Sequence, residues 1–476
     1  MKSIRCLLSI VLIIVLTQNA TSQSGFRINL QLKGLNDSLI LLASYNGDKQ
    51  FVIDTIIPDS KYNYKLSADT LLPEGMYFFA SSKKAKLLDF IIAGKQNVSI
   101  TGDMSELPQS LTSKVNDQNK ILFDYIKFLA AKQKEMGQLQ MLRNSFAHGS
   151  DSAAVVLNRI QLLNEEVIQY INGIINANHG SFISIFLKSM QDPEYTPPPV
   201  LPTGKVDSVA SFRAFKDHYW DNINLSDDRF IRTPLIHNKI EHFLQKMTLP
   251  VPDSLNAAID KLFELSKMNR ETFKYLIWYL TVKYESSDIM GHDAVFVHLV
   301  DKYYEKTDLM SWMNPTVKEN LEKRANTLRP ILIGKTAPEL ILWDTLREPV
   351  SLLEIKSKYT LIYFWDPECS HCKKETPLLV SFYNEYKEKY SLEVFGVCMD
   401  TSWKDMTSYI RKNQMNWINV NGFYSMTGDF REQYDVHSSP VMYLLDEKKT
   451  IIAKRILTEQ MQAIINNREK LSSESQ

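Results

Sequence analysis

The sequence predicts three successive fold classes: an N-terminal β-sandwich, a central all-α region and a C-terminal α/β domain. Three observations carry this. Apolar residues alternate with period two up to about residue 110, and they then fall at helical spacing until about residue 330. Beyond Arg329-Pro330, strand-like runs alternate with helical ones, the pattern of a central sheet with helices on both faces. The length, 476 residues, suits about three domains at roughly 150 residues each.

The β signal lies in residues 25–110. Arg27–Leu32, Ser38–Tyr45, Gln50–Thr55, Gly75–Ala80, Leu88–Ala93 and Asn97–Thr101 read as strands, with a hairpin turn at Asn46-Gly47-Asp48. Helical periodicity starts near Asn116, through Ile121, Leu122, Tyr125, Phe128 and Leu129. It continues from Val156 to Ile175 and from Phe182 to Met190. Pro193, Pro197, Pro198, Pro199 and Pro202 then exclude helix, so residues 192–203 form a linker or surface loop. Further helices are predicted at Val209–Trp220, Ile236–Met247, Asp253–Lys267, Arg270–Tyr284, Asp293–Lys306 and Thr316–Leu328. The α/β part offers strands at Glu339–Trp343, Thr360–Trp365, Leu392–Met399, Trp417–Val420, Val441–Leu445 and Thr450–Ile456. Its helices are predicted at Ser370–Tyr390, Ser402–Asn413, Asp429–Tyr434 and Glu459–Lys470. The domains are therefore expected at 23–110, 111–330 and 331–476.

The first 22 residues read as a signal peptide. Lys2 and Arg5 precede an apolar run, Leu7–Leu16, and Ala20-Thr21-Ser22 offers small residues for cleavage before Gln23. The run is shorter than the roughly 20 residues a membrane span needs; an uncleaved anchor is the alternative. The expected location is the periplasm or cell envelope. Lys plus Arg and Asp plus Glu balance at 55 each, so nucleic acid and anionic membranes are poor partner candidates. Of four Cys, Cys6 departs with the leader, and Cys369, Cys372 and Cys398 remain. Three thiols make no disulfide framework.

Chemistry concentrates in Leu361–Pro377, where a buried strand meets a turn and a helix opens on a Cys. At a helix N-terminus, free N–H groups and the dipole favour a thiolate, so Cys369 is the expected nucleophile. Cys372 follows at i+3, within disulfide reach, as the resolving thiol. Dithiol exchange requires no cofactor, and no metal is assigned. A zinc site lacks a second Cys pair, and haem attachment lacks a His after Cys372, where Lys373 stands. Cu(I) held by both thiols with His371 or His437 is an alternative. A peroxidatic Cys lacks the spacing that chemistry uses.

Residues 331–476 resemble the thioredoxin-like superfamily, in its periplasmic TlpA-like branch of thiol–disulfide oxidoreductases. Phe364-Trp365 before the dithiol, Pro377 five residues after Cys372, Cys372-Lys-Lys-Glu375 and Ser439-Pro440 carry the resemblance. It implies a cis peptide at Ser439-Pro440, with these residues and Trp365 contacting an extended substrate. It implies that Glu375 assists proton transfer; a solvated helix carboxylate is the plainer reading. It implies partners too: disulfide-containing envelope proteins and a membrane electron donor or acceptor. Tyr363 stands where thioredoxin has a buried Asp. Three residues are expected to tune the thiol: Glu368 against the thiolate, Lys373 for it, and His371 for it as in DsbA-type oxidants, which leaves the direction of the redox reaction open.

Cys398 reads as a small buried residue, or more sharply as a third redox partner. His237 and His242, five apart, do not share a helix face and read as structural. Phe273, Tyr275, Trp278 and Tyr279 read as core of one helix. Residues 25–110 and 115–330 resemble β-rich and helical domains of unknown function that precede TlpA-like domains, which implies no catalytic residue. They could instead hold an envelope protein or peptide, with the dithiol secondary.

Overall fold

The computed structural model describes residues 25–114, 117–147, 149–196, 198, 200, 203–304 and 310–474. The leader expected at residues 1–22, Asn116, Lys306, Pro197, Pro199 and Pro202 lie outside the described residues. The chain divides into two compact units, Met1–Lys239 and Ile240–Gln476.

In the first unit the strands are β1 (Phe26–Lys33), β2 (Ile40–Asn46), β3 (Lys49–Ile56), β4 (Pro58–Ser60), β5 (Asn63–Ala68), β6 (Gly75–Ser81), β7 (Lys86–Ile92), β8 (Asn97–Asp103) and β9 (Thr112–Ser113). They form two sheets, ordered β4-β5-β1-β8-β9 and β3-β2-β6-β7. Period two decides the packing: Phe26, Ile28, Leu30 and Leu32 of β1 are buried, and the residues between them are not. The expected hairpin joins β2 to β3, pairing Asn46 with Lys49, and Gly47 takes the positive φ of 59° that the tight turn needs. Helices α1 (Asp117–Ser145), α2 (Asp151–Ala177) and α3 (Phe182–Met190) add apolar residues to the same core. Asn119 of α1 is buried and bonds both the N–H and the carbonyl of Ile91, which occupies part of the edge of β7. Then come α4 (Ser208–His218) and α5 (Ile236–Lys246), the helix that carries His237 and His242 and within which the first unit ends, at Lys239.

The second unit continues with α6 (Pro252–Ser266), α7 (Arg270–Glu285), α8 (His292–Leu299) and α9 (Pro315–Leu328). One expectation on α7 is corrected. Phe273 is core, but Trp278 is 43 % exposed, and Tyr275 and Tyr279 are half-buried and stack at 5.7 Å. At 100° per residue, Phe273, Leu276, Ile277, Leu280 and Tyr284 share the buried arc; residues 275, 278 and 279 fall outside it.

The α/β part comprises β10 (Ile341–Asp344), β11 (Pro349–Ser351), β12 (Tyr359–Trp365), α10 (Ser370–Tyr390), β13 (Leu392–Cys398), α11 (Trp403–Asn413), β14 (Ile418–Ser425), α12 (Phe430–Gln433), β15 (Val441–Leu445), β16 (Ile451–Lys454) and α13 (Thr458–Glu474). Its sheet runs β11-β10-β14-β13-β12-β15-β16, with β12, β13 and β14 parallel. Every residue of β12 is buried, as expected of a central strand covered on both faces. Tyr359, Leu361, Tyr363 and Trp365 share one core with residues of α10, α11 and α13. Phe364 points the other way, onto Phe430 and Tyr434. On β16, Lys454 bonds Asp293 of α8 and the carbonyl of Ile331.

Candidate functional site: a dithiol at a helix N-terminus

Strand β12 ends at Trp365, and four residues later Cys369 caps α10. Its backbone is extended (φ −66°, ψ 123°), and its Sγ accepts the N–H of Cys372 at 3.4 Å. The turn between is held by Asp366, whose carboxylate accepts the N–H of Glu368 at 2.7 Å and whose carbonyl accepts that of Cys369 at 3.2 Å. Opposite, the Ser439–Pro440 peptide is cis, and the Cys369 thiol donates to the Ser439 carbonyl at 3.1 Å. The structure thus brings Cys369, Cys372, Ser439 and Pro440 together. Cys369, Cys372 and Cys398 are free thiols.

The two thiols of the pair differ sharply. Burial raises the Cys369 pKa, but hydrogen bonds from the Ser439 side chain and the N–H groups of Cys372 and His371 outweigh it, so the thiol lies below its ordinary value. Cys372 is fully buried, and burial pushes its thiol up to about 12. One partly exposed sulfur is therefore primed for ionisation, and the second is held as a thiol beneath it.

Around the pair, several expected roles change. Trp365 is fully buried and stacks on Tyr409 at 5.0 Å, so it supports the site from below and presents nothing to a substrate. Glu375 is no solvated carboxylate: it is 9 % exposed and accepts the N–H of Thr458 at 2.8 Å, at the start of α13. Tyr363 donates to or accepts from Thr376 at 2.8 Å, and Tyr409 donates to the same hydroxyl at 3.0 Å. Burial holds the Tyr363 phenol well above its ordinary pKa, so it is no base at neutral pH. Glu368 and Lys373 pair with each other at 3.4 Å on the surface, where solvent screens both. The His371 side chain is exposed, and what reaches the sulfur is its backbone N–H. His437 is 74 % exposed and lies 3.3 Å from Asp435. Cys398 is buried on β13, with its thiol pushed up to about 12 by burial.

Sequence reasoning missed Asp435 and Arg324. Their ion pair joins positions 111 residues apart, and no local pattern signals it.

Comparison with known proteins places these features. A family model described as thioredoxin-like matches residues 357–451, and one described as a domain of unknown function (DUF5106) matches residues 175–326. The thiol-disulfide oxidoreductase ResA of Bacillus cereus is 26% identical over 125 residues, covering 26% of this chain and 69% of that protein. A thioredoxin-like protein of Haemophilus influenzae is 29% identical over 132 residues, covering 27% of this chain and 74% of that protein. A solved domain of a possible thiol-disulfide isomerase from Cytophaga hutchinsonii is 34% identical, covering 31% of this chain and 99% of that one, with a TM-score of 0.29. The C-terminal domain of this chain belongs to the thioredoxin-like family of thiol–disulfide oxidoreductases.

Proposed function

We propose that this chain is an exported thiol–disulfide oxidoreductase that exchanges disulfides with envelope proteins through Cys369 and Cys372. The observation that carries the reading is the split between the two thiols, one ionisable at the surface and one buried beneath it. In the reducing direction, the Cys369 thiolate attacks a substrate disulfide. A new S–S bond forms, the substrate's bond breaks, and its leaving sulfur departs as a thiolate. Cys372 then loses its proton and attacks Cys369. The mixed disulfide breaks, and the substrate leaves as a dithiol with both electrons. Glu375, one turn after Cys372 on α10, is the proton acceptor in this scheme. The position of the Ser439–Pro440 segment against Cys369 supports a role in holding the substrate chain beside the sulfur. A membrane-bound dithiol partner restores the starting state.

Export is supported by the basic, apolar and small-residue pattern of the first 22 residues. Among the described residues, no helix is long and apolar enough to cross a membrane.

Cys372→Ser is the direct test, because it stops the sequence after the first attack. Incubated with oxidised insulin, this variant is expected to accumulate a mixed disulfide that dithiothreitol releases. The Cys369→Ser/Cys372→Ser double variant is expected to form none. No adduct with Cys372→Ser would overturn the reading.

A further inference from the structure

The loop that brings Ser439 to Cys369 is rooted in a buried carboxylate, Asp435, ringed by partly exposed cations, and one of these comes from outside the α/β part. Tyr434, Asp435 and Val436 form the root and are buried, whereas His437 and Ser438 are exposed. The Tyr434 hydroxyl donates to the Pro338 carbonyl, the Tyr434 carbonyl accepts from Tyr443 at 2.6 Å, and the Val436 N–H donates to Arg431 at 3.0 Å. Asp435 sits in the left-handed region at φ 53° with its side chain 1 % exposed. Such a backbone is costly for a non-glycine residue unless its surroundings hold it.

What holds it is charge. Arg324 of α9 grips the carboxylate with two nitrogens, Nη1 on Oδ1 and Nη2 on Oδ2, the latter at 2.9 Å. Arg455 reaches Oδ2 at 2.6 Å, and His437 lies 3.3 Å from Oδ1. Glu285 of α7 stands 3.6 Å behind Arg324. A bidentate guanidinium fixes direction as well as charge. Four residues on from this anchor, the Ser439 carbonyl takes the Cys369 thiol at 3.1 Å.

We propose that Arg324 is a positioning residue for the dithiol: by gripping Asp435 it fixes the Ser439–Pro440 loop against Cys369, so the helical segment upstream sets the reactivity of the thiol. Arg324 lies in the stretch that matches the domain of unknown function, and this gives that stretch a part in the chemistry. The inference rests on Cys369 being the reacting thiol.

The test is the ultraviolet thiolate titration of Cys369 in the full chain, with the melting temperature recorded alongside. Arg324→Gln is expected to move the Cys369 pKa by about 0.5 to 1 unit, a roughly three- to tenfold change in the ratio of thiolate to thiol at a given pH. Arg324→Lys is expected to recover part of the shift. Arg329→Gln, which breaks the surface pair with Asp301 at 2.5 Å, is expected to leave the titration unchanged. Should Arg324→Gln not fold, Asp435→Asn keeps the shape of the root, loses its charge, and is expected to shift the titration the same way. A lowered melting temperature with an unmoved titration would overturn the proposal and leave Arg324 a structural tie. If Cys369 of the unaltered chain showed no titration below that of Cys372, the failure would lie with the reading of the dithiol instead.

Discussion

Cys369→Ser is expected to reduce insulin disulfide reduction to the uncatalysed background, with the fold intact by circular dichroism. A serine hydroxyl at a helix N-terminus stays protonated at neutral pH and forms no bond to sulfur that a second thiol can reverse. The substitution is nearly isosteric, and the Cys369 side chain is only partly buried, so little packing is lost. The N-cap survives too, because Ser accepts the Cys372 N–H as readily as sulfur does. Loss of activity without loss of fold therefore isolates the sulfur. Rates within a few-fold of the unaltered chain would remove Cys369 from the reaction.

The second large effect is selectivity between thiols. In the reduced protein at neutral pH, iodoacetamide is expected to label Cys369 first, and Cys372 and Cys398 at least roughly 10³-fold more slowly. The direction follows from ionisation: Cys369 lies below the ordinary thiol value, and burial pushes the other two up to about 12. The thiolate is the nucleophile, so rates follow its fraction, and burial of Cys372 and Cys398 slows them further. As pH rises towards 9, the Cys369 rate is expected to level off once it is fully ionised, while the Cys372 rate keeps climbing. Mass spectrometry of tryptic peptides reads both. Equal labelling of Cys369 and Cys372 at pH 7 would contradict the asymmetry on which the two-step exchange depends.

Where a signal is local, the sequence was legible. Helix Ser370–Tyr390 and strand Val441–Leu445 occur with the bounds the pattern predicts, because a cap, a period and a break lie within a few residues of each other. The hairpin at Gly47 is legible for the same reason. Strands β4, β9 and β11 have three, two and three residues, too few for alternation to show. Around the dithiol, legibility stops where partners arrive from far along the chain. Glu375 reads as one more charge on a helix, and only α13, beginning 83 residues later, buries and bonds it. The resemblance makes Trp365 a contact for an extended substrate, but a strand covered on both faces leaves it no route to solvent. Arg324 reads as one cation among many on a polar helix, and only the folded unit sets it on Asp435.

The central claim is that Cys369 and Cys372 form a reversible redox pair, and its most direct test is equilibration of the full chain with glutathione buffers. Alkylation trapping would follow which thiols are oxidised at each potential. The expected result is a single two-electron transition in which Cys369 and Cys372 are protected together and Cys398 remains free, with a midpoint between about −270 and −120 mV. A midpoint near the upper end assigns disulfide formation, and one near the lower end assigns reduction fed by a membrane donor. No reversible transition, or one that consumes Cys398, would contradict the claim.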